Sequence, residues 1–332
     1  MSWSFVNQVT NELSRGLLDE QKAPTLWPSA ATAIVNDKVV GKCRRQSYYR
    51  YANDSYNFSE KYDYLEELVL QLKEKKIPIS QYTKWIFRAG ELYEDYCIEL
   101  AKQAGVFVGT QVSIYIPKFN VSGKIDLVVL NPEDSTYQVI EVKSIYGFNA
   151  TNVIGTDTMH KKNEMGSPRE SHLMQLGIYQ SWYANPKGWG PGILLYGARD
   201  TGRFAEFLVT VETDEEDGLD YIYYQGNYPV QTKKINSGIT MQSIMKNYAY
   251  IMECLEEDKI PDRDYYLSYT EEMIDALYEA GELNKTDTAQ YEKRKKQLEE
   301  GKSRVVKPVE KGDWQCRLCE YKNICYGEEL LH

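Results

Sequence analysis

Gly123-Lys-Ile-Asp-Leu-Val-Val-Leu130 and Gln138-Val-Ile-Glu-Val-Lys-Ser144 are two apolar runs separated by Asn131-Pro132-Glu133-Asp134-Ser135. Apolar runs of strand length joined by a dense turn signal read as a β-hairpin. Asp126 lies on the first strand, and Glu141 and Lys143 lie on the second. Side chains alternate across a strand, so Glu141 and Lys143 point the same way. Two carboxylates and an ammonium on one face suit a divalent cation with a charge partner beside it. Hard oxygen donors are what Mg²⁺ and Mn²⁺ take, and such a site can hydrolyse phosphodiesters. Read alone, the Glu-x-Lys pattern is a weak signal, and an exposed hairpin with Glu141 and Lys143 on its solvent face accounts for it.

Working outward, strands are expected at 106–117, 121–130 and 137–145, then at 193–198 and 204–211. A helix over roughly 81–104, ending at Gly105, precedes them. Residues 146–167 are rich in Gly, Asn and Thr and read as a loop. Pro168 opens a helix running to about Ala184. Further helices are expected at 60–76, 239–258, 270–281 and 286–300. The order of helix, three strands, helix and two strands predicts an α/β layer with a mixed sheet. The chain divides into an N-terminal segment (1–59), a core (60–211), an accessory and largely helical region (212–312) and a cysteine segment (313–332). Residues 262–312 are charge-dense and read as an insertion without a core of its own.

The chain has 332 residues and a net charge of −10. That balance argues against general nucleic-acid affinity, so any nuclease of this kind must gather its cations locally. Candidates are Lys42, Arg44, Arg45 and Arg50, Lys161 with Lys162, Lys233 with Lys234, and Arg294-Lys295-Lys296. The 28 tyrosines offer stacking faces for bases, although such residues more often fill cores and surfaces. No apolar run reaches the roughly 20 residues of a membrane span. No signal pattern opens the chain, and a cytosolic protein is expected.

Three more groups of residues carry chemistry. His172, Gln175 and Tyr179 share one face of the helix after Pro168. A polar stripe among Leu173, Leu176 and Ile178 faces a ligand, makes hydrogen bonds or is a solvated outer face. Glu91, Glu94 and Asp95 on the helix before the strands offer another carboxylate ligand. Cys316, Cys319 and Cys325 form a Cys-x2-Cys-x5-Cys set, which Cys43 completes to four thiolates if the chain ends meet. Four thiolates suit a 4Fe–4S cluster or zinc, and spacing does not separate the two. Cys97 and Cys254 read as buried small hydrophobes.

Together these residues resemble the RecB-like branch of the PD-(D/E)xK nuclease superfamily, and within it the iron–sulfur CRISPR-associated exonucleases and AddB-type repair nucleases. Gly90-x3-Glu94, Gly123-x2-Asp126, Glu141-Val-Lys143 and Gln175-x3-Tyr179 fall in the family's motif order. Glu94 stands where that family usually has His, or Glu in some branches. The resemblance covers roughly 43–211 and 313–326. It implies a restriction-endonuclease-like core and metal-dependent DNA cleavage, often exonucleolytic, at single strands or ends; the alternatives are a non-catalytic DNA-binding or assembly subunit that keeps the fold and a zinc-stabilised endonuclease. It implies that Glu94, Asp126, Glu141 and the Val142 carbonyl hold Mg²⁺ or Mn²⁺. Lys143 is then the catalytic lysine, Gln175 and Tyr179 steady it or contact DNA, and His172, Arg44 and Arg45 face nucleic acid. Cys43, Cys316, Cys319 and Cys325 would hold the 4Fe–4S cluster. The chain has no Gly-x4-Gly-Lys-Ser/Thr motif, so a helicase function would come from a protein partner; an integrase is the other partner the resemblance implies.

Overall fold

The computed structural model describes residues 25–55, 81–158, 161–164, 166–319 and 321–326. The helix expected over 60–76 lies outside the described residues. Residues 1–261 and 262–332 form two compact units.

The first unit opens with a hairpin of β1 (Thr32–Val35) and β2 (Lys38–Gly41), then α1 (Arg44–Ser55) and α2 (Gln81–Gln103). Next come β3 (Phe107–Ile116), β4 (Val121–Leu130) and β5 (Tyr137–Ile145). A short helix α3 (Gly147–Ile154) and a small hairpin of β6 (Thr156–Thr158) and β7 (Lys161–Glu164) lead to α4 (Glu170–Tyr179). The unit continues with β8 (Gly192–Ala198), β9 (Arg203–Thr213), β10 (Asp220–Tyr228), β11 (Ile235–Thr240) and α5 (Met241–Glu256). Seven strands form one mixed sheet in the order β11-β10-β9-β8-β5-β4-β3. Only the β5–β8 pair in it is parallel, with Glu141 beside Leu194 and Lys143 beside Tyr196.

Local chemistry sets several of these boundaries. α2 stops because Gly105 adopts a φ of +73°. The Gly105 and Val106 amides then turn back to the Lys102 and Ala101 carbonyls, closing a Schellman end. The β4–β5 turn is held by Asn131 Oδ1, which accepts from the Glu133 amide, and by Asp134 Oδ1, which accepts from the Thr136 amide. One sheet face packs Leu127, Val129, Ile140, Val142 and Ile193 against Cys97 and Ala101 of α2. The opposite face takes α4, whose residues Leu173 to Tyr179 are all buried.

Two stretches differ from the sequence expectation. The 146–167 segment holds a helix because Ala150, Val153 and Ile154 recur at helical spacing and are buried, a signal hidden by its Gly, Asn and Thr content. The largely helical region expected over 212–312 begins with β10 and β11. Ile222 in the Tyr-rich stretch is fully buried, and the tyrosines beside it, Tyr221, Tyr223 and Tyr224, are half-buried.

The second unit carries α6 (Glu271–Glu279), α7 (Lys285–Glu299), α8 (Trp314–Arg317) and α9 (Lys322–Cys325). Ile274, Leu283 and Val309 form a small core there, with Tyr269, Leu277, Tyr278 and Tyr291 packed on it. That packing corrects the expectation for 262–312: three scattered aliphatics and a set of tyrosines build a core that the charge density conceals. Among the described residues, no helix is long and apolar enough to cross a membrane.

Candidate active site

The chemistry gathers where the sheet ladder breaks around Asp126. On one side β3 pairs Thr110 with Leu127 and Val112 with Ile125. The intervening Gln111 takes a φ of +51°, a left-handed conformation unusual for a non-glycine residue. The Thr110 hydroxyl donates to the Asp126 carbonyl at 2.7 Å, and Gln111 turns its amide to Glu94 on α2. On the other side the β4–β5 register ends at Leu127 and Ile140. Beyond it the Asp126 carboxylate itself accepts the Val142 amide at 2.8 Å. The strands therefore diverge at Asp126 and Glu141, and Glu94 is bonded to the strand residue opposite the break.

Glu141 is only 1% exposed and forms an ion pair with Lys143. The Lys143 ammonium also donates to Gln175 Oε1 at 3.1 Å. Gln175 Nε2 donates in turn to the Tyr179 hydroxyl at 3.3 Å, which donates to the Lys124 carbonyl at 2.9 Å. The polar stripe of α4 is thus an internal hydrogen-bonded relay, not a solvated face. It fixes the lysine from behind and ties it to β4.

Three carboxyls share this one ammonium. Burial and the neighbouring Asp126 push Glu94 up to about 7. Burial pushes Glu141 up to about 8 against the pull of Lys143. Burial also raises Asp126 against Lys143 and the Val142 amide. Burial alone would lower Lys143, but Glu141, Asp126 and Glu94 outweigh it and hold the ammonium above the usual lysine range. All four displacements report a pocket with too little positive charge. Glu141 Oε2 is buried and has no hydrogen-bond partner among the described residues. A buried carboxylate oxygen without a partner is costly, and such exceptions call for a missing ligand or ion. The donor set therefore fits a hard divalent cation. Among the described residues, no three His, Cys, Asp or Glu side chains are drawn together as a cage for a metal ion; Lys143 occupies Glu141 Oε1, and Gln111 holds Glu94.

The remaining candidates fall in different places. His172 Nδ1 meets the Tyr196 hydroxyl at 2.8 Å. Burial, with Lys143, Arg169 and Lys42 nearby, holds its pKa well below the usual value, so it is a neutral imidazole at pH 7. Arg44 donates to Asn247 Oδ1 at 3.3 Å and lies over the Tyr250 ring, while Arg45 donates to the Pro261 carbonyl. Both guanidiniums are committed within the protein. Glu91 is exposed and pairs with Arg88 at 3.0 Å. Cys43 precedes α1 in the first unit. Cys316, Cys319 and Cys325 lie on and beside α8 and α9 in the second, where Cys316 Sγ is 3.8 Å from the Tyr326 hydroxyl. Gln111 and Thr110 are the site residues that sequence reading missed. Gln111 looks like one more strand residue, and only its backbone conformation shows what it does.

No family model matches the chain, and no characterised protein matches it. Among solved structures, one titled "Crystal structure of SSO0001" is similar at 16% identity with a TM-score of 0.37, over 79% of this chain and 89% of that one.

Proposed function

We propose that this protein is a metal-dependent DNA nuclease with a restriction-endonuclease-like core. The observation that carries the reading is the orphaned, buried Glu141 Oε2 beside Asp126 in a pocket short of positive charge. Asp126 and Glu141, with Glu94 and the Val142 carbonyl, would hold Mg²⁺ or Mn²⁺. When bound, such an ion lowers the pKa of a water and neutralises charge on a phosphate. Lys143, oriented by Gln175 and Tyr179, places an ammonium where negative charge develops on the phosphoryl oxygens. In this reading the scissile phosphate sits beside Asp126 and Lys143, where the β4–β5 register ends. The neutral His172 contributes a hydrogen bond to the substrate backbone, not a charge. Cys316, Cys319 and Cys325 belong to the same reading as thiolate ligands of an iron–sulfur cluster. Iron and sulfide in the purified protein, with absorption near about 400 nm, test that assignment, and zinc in a colourless protein refutes it.

The reading is tested with end-labelled DNA, single- and double-stranded, incubated with Mg²⁺ or Mn²⁺. The parent chain is expected to cut, and Lys143→Ala to lose at least about 100-fold in rate, the usual scale for one preorganised charge partner. Absence of cutting by the parent with either metal refutes the proposal.

A further inference from the structure

The proposed nuclease needs cations beyond Lys143 to hold a polyanion, because the chain as a whole is acidic. Arg44 and Arg45 are turned inward, which leaves their neighbours to supply the charge. Gln46, Ser47, Arg50 and Tyr51 line a shallow cleft with Lys42, Trp27 and Thr25. Residues 46, 47, 50 and 51 share one face of α1, while Tyr48 and Tyr49 are buried. Lys42 and Arg50 are exposed, and neither forms an ion pair among the described residues. The Arg50 guanidinium lies 3.8 Å over the Trp27 ring, and Arg50 is exposed.

The segment behind this cleft also borders the candidate active site. Leu26 pairs with Val121 at the start of β4, and the Ser122 amide donates to the Leu26 carbonyl at 2.9 Å. Asn120 donates to the Tyr51 hydroxyl at 2.8 Å. Pro28 closes on Gly123, where an added Cβ would lie 2.8 Å from the proline ring and 3.1 Å from the Tyr179 hydroxyl. Gly41, the neighbour of Lys42, packs against α4, where an added Cβ would lie 2.4 Å from the Met174 methyl. The cleft wall and the wall of the Lys143–Gln175–Tyr179 relay are therefore the same segment of β4.

We infer that this cleft is a nucleotide subsite flanking the scissile phosphate, with Lys42 holding a backbone phosphate and the Arg50–Trp27 stack receiving an unpaired base. It rests on the nuclease reading. Lysine is a point charge that suits one phosphate. Guanidinium planes and aromatic rings stack any base, because every base has a π-face. An unpaired base is required, since a base inside a duplex presents only its edges to this platform.

The test is binding without cleavage. A fluorescein-labelled ten-nucleotide deoxythymidine strand is titrated with the full chain in EDTA, and anisotropy is read across a salt series. Lys42→Ala is expected to flatten the slope of log K against log salt by about 0.7, one phosphate contact on a single strand. Arg50→Ala is expected to weaken binding roughly tenfold or more, the scale of one stacked base. Arg50→Lys should keep the parent's salt slope and still lose most of the affinity, because it keeps the charge and not the plane. Lys234→Ala, whose lysine pairs with Glu212, should bind like the parent. Equal binding by parent, Lys42→Ala and Arg50→Ala overturns the subsite, and so does full affinity in Arg50→Lys. A parent that cuts DNA while these variants bind normally refutes the subsite alone. A parent that binds through these residues and cuts nothing refutes the nuclease reading and leaves the cleft standing.

Discussion

Replacing Glu94 by glutamine should stabilise the metal-free protein at alkaline pH while disabling the proposed site. The glutamine side chain retains an oxygen to accept from Gln111, so Glu94→Gln removes charge and little else. Glu94 is raised from 4.5 to about 7, first by burial and then by Asp126. A carboxyl whose folded pKa is raised is favoured in its neutral form. The penalty is therefore small at low pH and grows as pH rises towards the folded value. For these two values it amounts to about 3.3 kcal/mol at pH 8 and about 0.8 kcal/mol at pH 5. Glu94 is only half-buried, and water screens part of this, so roughly half is a realistic gain, about 1.7 and 0.4 kcal/mol. With a urea m-value of about 3 kcal/mol/M, the midpoint of Glu94→Gln in EDTA should rise by about 0.6 M at pH 8 and by about a quarter of that at pH 5. Adding Mg²⁺ should stabilise the parent and not the variant, because the ion supplies the missing charge only where its ligand remains. A lower midpoint at pH 8, or the same gain at both pH values, refutes the claim that the pocket lacks positive charge.

Other substitutions probe the supports. Gln175→Leu removes the acceptor of Lys143 and the donor to Tyr179. It should cost about 2 kcal/mol in urea unfolding, with no loss leaving the relay without consequence. Gly197→Ala would drive a methyl into the Tyr93 ring and hydroxyl, forcing α2 away from the sheet; thermal unfolding should show a loss of about 2–3 kcal/mol. In the second unit the Tyr326 hydroxyl donates to the Tyr265 carbonyl and accepts the Leu267 amide. Tyr326→Phe should lower that unit's stability by about 1–2 kcal/mol, read by proteolysis of the 262–332 region.

The parts of the fold that were legible in the sequence are those where one local signal decides the structure. The runs at 121–130 and 137–145 are bounded by turn residues and could only be strands. Gly105 ends α2 because the helix needs a left-handed residue there. The hidden parts depend on partners. The α3 helix is specified by three apolar residues among polar ones, and they count only once the sheet is present to bury them. β10 reads as a tyrosine-rich stretch because half of it faces water. Within the site, the alternation of β5 was enough to place Glu141 beside Lys143. The relay through Gln175 became an internal one only because α4 is covered on all sides. Gln111 carries no sequence signal, since its task follows from a positive φ. Arg44 and Arg45 look no different from Lys42 and Arg50 in the sequence. On α1, Arg44 turns to Asn247 of α5 and Arg50 to Trp27, and no residue of the pattern encodes that packing.

The most direct measurement of the central claim is a time course on 5′-labelled single-stranded and duplex DNA in Mn²⁺, in EDTA, and with Asp126→Asn. Products are expected with the parent in Mn²⁺ and none in EDTA. A rate at least about 100-fold lower is expected with Asp126→Asn, whose loss of charge removes a proposed metal ligand. Cleavage that persists in EDTA, or that survives Asp126→Asn undiminished, would contradict the metal-dependent nuclease.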